Sequence, residues 1–165
     1  MNYKIKGLEV EITDEQLDEL IKERENKGKL WKPEKHEQYY FLDTVNHECS
    51  DVWFNHISDL FRFNSDNCFK TVAEAKEKGE YNDAVIAVNM KIRELNDGWT
   101  PDWSDGQEIK CSIFYNNNNQ KWTYNLNYYI NVYSYFDSIK SEELAEQVIK
   151  ECAKELEIIK NYNLK

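Results

Sequence analysis

The sequence predicts an α+β protein built from two related units, each an antiparallel β-meander followed by a helix, with a small N-terminal hairpin and helix as an appendage. Strand-like runs are joined by connections too short for parallel crossovers, and a capped helical pattern follows each group of strands. A Trp-x-Pro motif precedes each group, at residues 31–33 and 99–101. The predicted boundaries are residues 1–30 for the appendage, 31–97 for the first sheet-helix unit and 98–165 for the second.

The N-terminal appendage is predicted from alternation and capping. Tyr3–Ile5 and Leu8–Ile12 alternate apolar and polar residues on either side of Gly7, which favours a hairpin. Thr13 and Gln16 fit a capping box, and acidic residues occupy the first helical turn. An apolar stripe at helical spacing follows: Leu17, Leu20 and Ile21.

The strands of the two units are predicted from short apolar and aromatic runs. In the first unit, Tyr39–Leu42 is strand-like, Val45–Ser50 is turn-like, and three shorter runs are strand candidates: Val52–Phe54, Leu60–Phe63 and Cys68–Phe69. In the second unit, the asparagines at 116–119 predict a hairpin loop. The runs around that loop are the predicted strands: Ile109–Tyr115, Lys121–Leu126 and Tyr128–Phe136.

A capped helix is predicted at the end of each unit. Thr71 and Glu74 form a capping box, and Gly79 predicts a kink or break within residues 78–82. Ser141 caps the last helix. The apolar stripe of that helix is Leu144, Ala145, Val148, Ile149, Cys152, Leu156 and Ile159.

The two units align as an internal duplication. Phe69 and the helix start after it align with Phe136 and the helix that Ser141 caps, and Tyr39–Phe41 aligns with Ile113–Tyr115. Chance agreement of such short motifs is the alternative to a duplication.

Several runs also carry a resemblance to other proteins: Ile12–Leu17, Trp31–Pro33, Glu37–Phe41, Asn67–Ala75 and Gly98–Gly106. They resemble a group of poorly characterised proteins from phages and prophages of low-GC Gram-positive bacteria. The chain departs from that group at His36, where the group usually has Gly, and over residues 45–64. The resemblance covers most of the chain and implies a mobile-element origin. Small phage accessory proteins of this kind often inhibit host defence, so the resemblance implies a role of that kind.

The charge balance narrows the class of partner. The chain has 31 acidic and 21 basic residues, a formal net charge of −10, and no basic cluster. Direct binding to duplex nucleic acid is therefore disfavoured, because neutralising phosphates needs a basic face. The charge indicates either a well-solvated surface or an acidic patch that imitates the nucleic-acid backbone and occupies a nucleic-acid-binding protein.

The cysteines and the apolar runs indicate the cellular compartment of the protein. The four cysteines have no closely spaced pair: Cys49, Cys68, Cys111 and Cys152. The N-terminus lacks the apolar segment of a leader peptide, and no apolar run approaches the length of about 18 residues that a membrane span needs. We expect free thiols, no membrane association and the reducing cytoplasm of an infected or lysogenic bacterium.

The positions of histidine, cysteine and glycine in the sequence disfavour a metal site, a catalytic thiol and a cofactor site. His47, Cys49, His56 and Cys68 include no pair with the spacing of structural zinc ligands, so no metal site is predicted. Cysteine catalysis needs a histidine brought beside the thiol and a third group to orient it. The sequence has no Gly-x-Gly motif, which a phosphate-binding loop would need. We therefore expect that the protein binds no cofactor and has no enzymatic activity.

The predicted binding site is the acidic, tryptophan-containing stretch between the units. Carboxylates cluster around two indoles, the composition of many protein interfaces. The residues are Trp99, Asp102, Trp103 and Asp105, with Asp97 and Glu108 in support. The alternative is a solvated loop that two indoles pin in place. The predicted function is inhibition of a bacterial defence effector, such as a CRISPR nuclease, by docking onto its basic channel.

A second candidate site uses the aromatic residues of the last meander. Strand alternation sends about half of them to the outer face, where they could stack on single-stranded nucleic acid or a nucleotide. The residues are Trp122, Tyr124, Tyr129 and Tyr133. Cross-strand pairing of tyrosines on a solvated sheet is the alternative.

Overall fold

A computed structural model describes residues 2–5, 8–11, 31–127 and 136–164 of the chain. At the N-terminus, β1 (Asn2–Ile5) and β2 (Leu8–Glu11) pair antiparallel, which confirms the predicted hairpin. The helix predicted from Thr13 onward lies outside the described residues, as does most of the predicted strand Tyr128–Phe136.

The described elements form an α+β fold in which each of the two later hairpins is followed by helices, as the sequence predicted. The elements of the first unit are β3 (Gln38–Leu42), β4 (Glu48–Val52), α1 (Ile57–Asn64) and α2 (Val72–Asn96). Those of the second unit are β5 (Lys110–Asn116), β6 (Lys121–Asn127), α3 (Glu142–Glu151) and α4 (Ala153–Asn163). The domain boundaries remain a prediction.

Each hairpin receives one further residue from the chain that follows it. Tyr40 of β3 exchanges two backbone hydrogen bonds with Phe69, and Cys111 of β5 does the same with Ile139. In the first unit, the third strand predicted at Cys68–Phe69 is thus a single bridging residue, Phe69, whereas in the second unit the bridging residue Ile139 lies beyond the predicted strand Tyr128–Phe136. The alignment of Phe69 with Phe136 was wrong, because Ile139 occupies the equivalent position in the second unit.

The first unit differs from the sequence prediction between residues 45 and 63. The predicted turn Val45–Ser50 extends too far, since β4 begins at Glu48, and the strand predicted over Val52–Phe54 ends at Val52. Leu60–Phe63 is helical rather than extended, because it lies within α1. The Asp59 carboxylate accepts hydrogen bonds from the backbone N–H groups of Phe54 and His56, which fixes the start of that helix.

Helix α2 is continuous, so of the kink or break predicted near residues 78–82 the break is wrong. A Cβ atom at Gly79 would lie 2.9 Å from the backbone oxygen of Asn46, in the β3–β4 turn. Glycine is thus needed for the close approach of the turn to the helix, and its low helix propensity is tolerated there. The capping box of Thr71 and Glu74 is confirmed.

The main core lies between the β5–β6 hairpin and the last three helices. Its most deeply buried apolar residues include Val88, Ile92, Ile113, Ile139, Val148, Leu156 and Ile159. Ser141 caps α3 as predicted, but the last helix is interrupted at Cys152 and continues as α4. Within the part of the chain that the structure describes, no helix is both long and apolar enough to cross a membrane.

Candidate partner-binding surface

The acidic loop, residues 97–108, joins α2 to β5. Asp97 ends the helix in the left-handed region, with φ of 48°, and Gly98 follows with φ of 77°. These two residues turn the chain away from the helix axis, because glycine and aspartate tolerate positive φ better than most residues. The Asp97 side chain is exposed at the turn.

The acidic loop is built around the side chain of Lys110, which is fully buried. The Lys110 ammonium donates hydrogen bonds to the backbone oxygens of Asp105, at 2.9 Å, and Glu108, at 3.2 Å. It also lies 3.1 Å from Oε2 of Glu108 and 5.4 Å from the centre of the Trp103 ring. A buried cation with these partners holds the loop in one conformation.

Glu108 faces into the loop. Its Oε1 accepts a hydrogen bond from the Trp99 indole at 3.0 Å, and its Oε2 accepts one from the backbone N–H of Asp102 at 2.7 Å. Burial works to raise the pKa of Glu108, but the Asp102 amide, the Lys110 ammonium and the Trp99 indole together hold it below its usual value. Glu108 therefore fixes Trp99 and the loop backbone, and its carboxylate is committed to internal contacts.

Asp102 and Asp105 are the exposed carboxylates of the loop. One oxygen of Asp102 accepts hydrogen bonds from the hydroxyl and the backbone N–H of Ser104, and these bonds lower its pKa. Asp105 accepts one from the backbone N–H of Gln107 at 2.8 Å. Each carboxylate is locally oriented and still reaches solvent. The arrangement presents fixed negative charge beside two partly buried indoles, Trp99 and Trp103.

An exposed apolar pair on α2 leads toward the acidic loop. Ile86 and Met90 are one helical turn apart and are both more than half exposed. Arg93 lies on the same side of the helix, and its guanidinium is paired with Asp137 at 2.6 Å. Asp97 follows Met90 by about two turns. Ile86, Met90 and Arg93 therefore share one side of α2, the helix that leads into the acidic loop.

The aromatic residues proposed as a second site are placed differently. In the β5–β6 register Trp122 pairs with Tyr115 and Tyr124 with Ile113, and both Trp122 and Tyr124 pack against the main core. The Tyr124 hydroxyl donates a hydrogen bond to Glu142 of α3 at 2.9 Å. Trp122 and Tyr124 therefore lie on the helix-covered face of the hairpin, and Tyr129 and Tyr133 lie outside the described residues.

The four cysteines are free thiols, and the pKa values of three of them are shifted upward. Burial raises the pKa of Cys68 and of Cys111 to about 11, and it also raises that of Cys152. A thiolate nucleophile requires the opposite shift. Among the residues that the structure describes, no three His, Cys, Asp or Glu side chains are grouped closely enough to hold a metal ion.

A polar cavity of about 270 Å³ lies between the β3–β4 turn and α2. Its side chains mostly satisfy one another or the backbone. Asn46 donates to Asp83 and accepts from Asn82, while Asn67 bonds both the N–H and the oxygen of Leu42. The Asp43 carboxylate accepts from two backbone amides of the same turn. These contacts show that the polar side chains around the cavity serve to hold the turn against the helix.

One exposed surface was missed by the sequence prediction. Helix α1 presents Ile57, Leu60 and Phe61 to solvent, and Phe54 lies just before it. The i, i+3, i+4 spacing of the first three residues could have indicated a helix. The run Leu60–Phe63 was interpreted as a strand because short apolar runs fit either structure.

Comparison of the chain with protein-family models, with curated proteins and with solved structures found no match.

Proposed function

We propose that the chain is a non-enzymatic binding protein of mobile-element origin, which acts in the bacterial cytoplasm by occupying the basic channel of a nucleic-acid-binding defence effector. The observation that carries the proposal is the construction of the acidic loop. Lys110, Glu108 and Trp99 hold it in one conformation, while Asp97, Asp102 and Asp105 remain exposed. Charges fixed in advance bind with a smaller entropic cost than mobile ones.

The class of partner follows from charge. A net charge of −10 steers association toward a positively charged surface and opposes direct contact with phosphates. The partly exposed rings of Trp99 and Trp103 supply apolar contact area beside the carboxylates. The assignment of the partner to bacterial defence rests on the resemblance to phage proteins described above.

The proposal is tested by capture and competition. The purified chain, immobilised at low salt, is exposed to lysate of a low-GC Gram-positive bacterium that carries CRISPR nucleases. We expect retention of a nucleic-acid-binding effector that salt elutes, and we expect the soluble chain to displace DNA from that effector. A gel shift of single-stranded DNA by the chain alone would instead favour the aromatic site. A captured effector whose DNA binding is unaffected would contradict channel occupation.

A further inference from the structure

The two ends of the acidic loop are connected through a short segment that lies later in the chain. This linking segment, residues 137–140, bonds both to α2, which precedes the loop, and to β5, which follows it. On the β5 side, Ile139 exchanges two backbone hydrogen bonds with Cys111, the residue after Lys110. On the α2 side, helix side chains bond to the backbone of the segment. The linking segment therefore joins the helix before the loop to the strand after it.

Asn96 makes the contact nearest to the loop. It is the last residue of α2, and only 6% of its surface is exposed. Its Nδ2 donates a hydrogen bond to the backbone oxygen of Ser138 at 2.8 Å, and its Oδ1 accepts one from the backbone N–H of Lys140 at 3.1 Å. A side-chain amide can donate and accept at once without carrying a charge. Both ends of this buried amide are therefore bonded to the linking segment.

Hydrogen bonds within the loop complete a closed ring with these contacts. The Asn96 backbone oxygen accepts from the backbone N–H of Trp99 at 3.0 Å, and the Trp99 indole donates to Glu108 at 3.0 Å. The backbone oxygen of Glu108 accepts from the Lys110 ammonium at 3.2 Å, and the next residue is Cys111. From Cys111 the ring returns through the linking segment to Asn96. Since each bond in such a ring supports the next, loss of the Asn96 contacts should release Trp99.

The other bonds between α2 and the linking segment lie further from the loop. Asn89, about two turns before Asn96, accepts a hydrogen bond from the backbone N–H of Asp137 at 2.8 Å. Arg93 pairs with the Asp137 carboxylate at 2.6 Å, but its side chain is 70% exposed. An exposed ion pair contributes little to stability. Of these three side chains, Asn96 is the one that is buried beside the start of the loop.

We infer that Asn96 is a positioning residue of the acidic loop, which acts through residues 137–140 to fix the distance between the two ends of the loop and hence the position of Trp99. The inference rests on the proposed function for the claim that a partner needs this position, and on the ring of hydrogen bonds for the positioning itself. A loop held in its bound conformation loses less entropy on association, so Asn96 contributes to affinity from inside the protein.

Fluorine NMR of the full chain labelled with fluorotryptophan tests the positioning. Each of the five tryptophans gives its own signal, and Trp99→Phe identifies the signal of Trp99. In Asn96→Ala, we expect the difference in Trp99 chemical shift between H2O and D2O to rise toward its value in the urea-unfolded chain, because a released indole is hydrated. The signal of Trp53, which is buried in the first unit, should keep its wild-type position.

Asn89→Ala is the matched control, because it removes a bond between α2 and the same segment at a distance from the loop. Denaturant titration of both variants separates a general loss of stability from a local release of Trp99. Asn96→Asp keeps the shape of the side chain and loses the donor to Ser138, so it provides the same test if Asn96→Ala does not fold. An unchanged Trp99 signal in a folded Asn96 variant, or an equal change in Asn89→Ala, would overturn the inference.

Affinity distinguishes this inference from the proposed function. For the effector that the wild-type chain captures, Asn96→Ala is expected to bind about tenfold more weakly, and Asn89→Ala like the wild type. If Trp99 is released and the affinity does not change, the positioning role stands and the proposed binding site at the acidic loop fails. If Trp99 is not released, the positioning role fails whatever the affinity.

Discussion

At the scale of single residues, Lys110 organises the acidic loop. Its ammonium is removed from water and surrounded by two backbone oxygens, the Glu108 carboxylate and the face of Trp103. A buried cation is tolerated only where its partners replace the lost hydration. The same contacts that satisfy Lys110 therefore define the shape of the loop and the positions of the exposed aspartates.

Replacing this cation should loosen the loop. In Lys110→Met, the Asp105 and Glu108 oxygens lose their donor, and we expect the free energy of unfolding to fall by about 2 kcal/mol. The fluorescence of Trp99 and Trp103 should shift to longer wavelength as they become more hydrated. Denaturant titration with an emission spectrum measures both effects. The exposed Lys121→Met is the control, and an unchanged stability in Lys110→Met would contradict the role given to Lys110.

The sequence indicated only part of this site. The clustering of tryptophan and aspartate around residues 97–108 was visible, because both residue types and the turn signals are local. The internal contacts of Glu108 could not be predicted, because they depend on Lys110. In the sequence, Lys110 is indistinguishable from any exposed lysine at the start of a strand. Burial of a charged side chain arises from tertiary contacts and has no periodic signal.

At the scale of elements, capped helices were predictable and α1 was not. Thr71 with Glu74, and Ser141, cap through contacts within the same turn, so their spacing is sufficient to predict them. Helix α1 has only eight residues, and its apolar face is directed outward by Tyr39 of a distant strand. The need for glycine at position 79 of α2 likewise comes from another element, the turn that contains Asn46.

The stability of α1 should depend on pH, because Asp59 is a buried carboxylate. Burial works to raise the pKa of Asp59, but hydrogen bonds from the Phe54 and His56 amides and from Tyr39 hold it below its usual value. A lowered folded-state pKa stabilises the fold above the unfolded value, about 3.9, and that contribution is lost as the pH falls through the folded-state pKa.

We therefore expect Asp59→Asn to be less stable than the wild type at pH 7, by about 1 kcal/mol. The difference should shrink as the pH falls below about 4, because Asp59 of the unfolded chain is protonated first, and it should vanish once the pH has passed the lower pKa of the folded state. Denaturant titrations across this range measure the difference, with the exposed Asp66→Asn as control. A difference that stays constant from neutral to acidic pH would contradict the assignment.

At the scale of the whole molecule, the chain combines two exposed surfaces of different chemistry. The acidic loop presents oriented carboxylates beside indoles, and α1 presents the apolar side chains of Ile57 and Phe61. Both surfaces are fixed by buried polar groups, Lys110 in one case and Asp59 in the other. The overall α+β class and the net charge were predictable from the sequence, whereas the two surfaces depend on which polar residues the fold buries.

The measurement that tests the central claim most directly is the affinity of the captured effector for Asp102→Asn with Asp105→Asn, as a function of salt. Asparagine keeps an oxygen that can accept the bonds from Ser104 and Gln107, so the loop keeps its shape while it loses two charges. Glu34→Gln with Glu80→Gln removes two exposed charges elsewhere and is the control. We predict binding about tenfold weaker at low salt and less sensitive to salt than in the wild type. Equal affinities and equal salt dependence for the loop variant and the control would contradict the account.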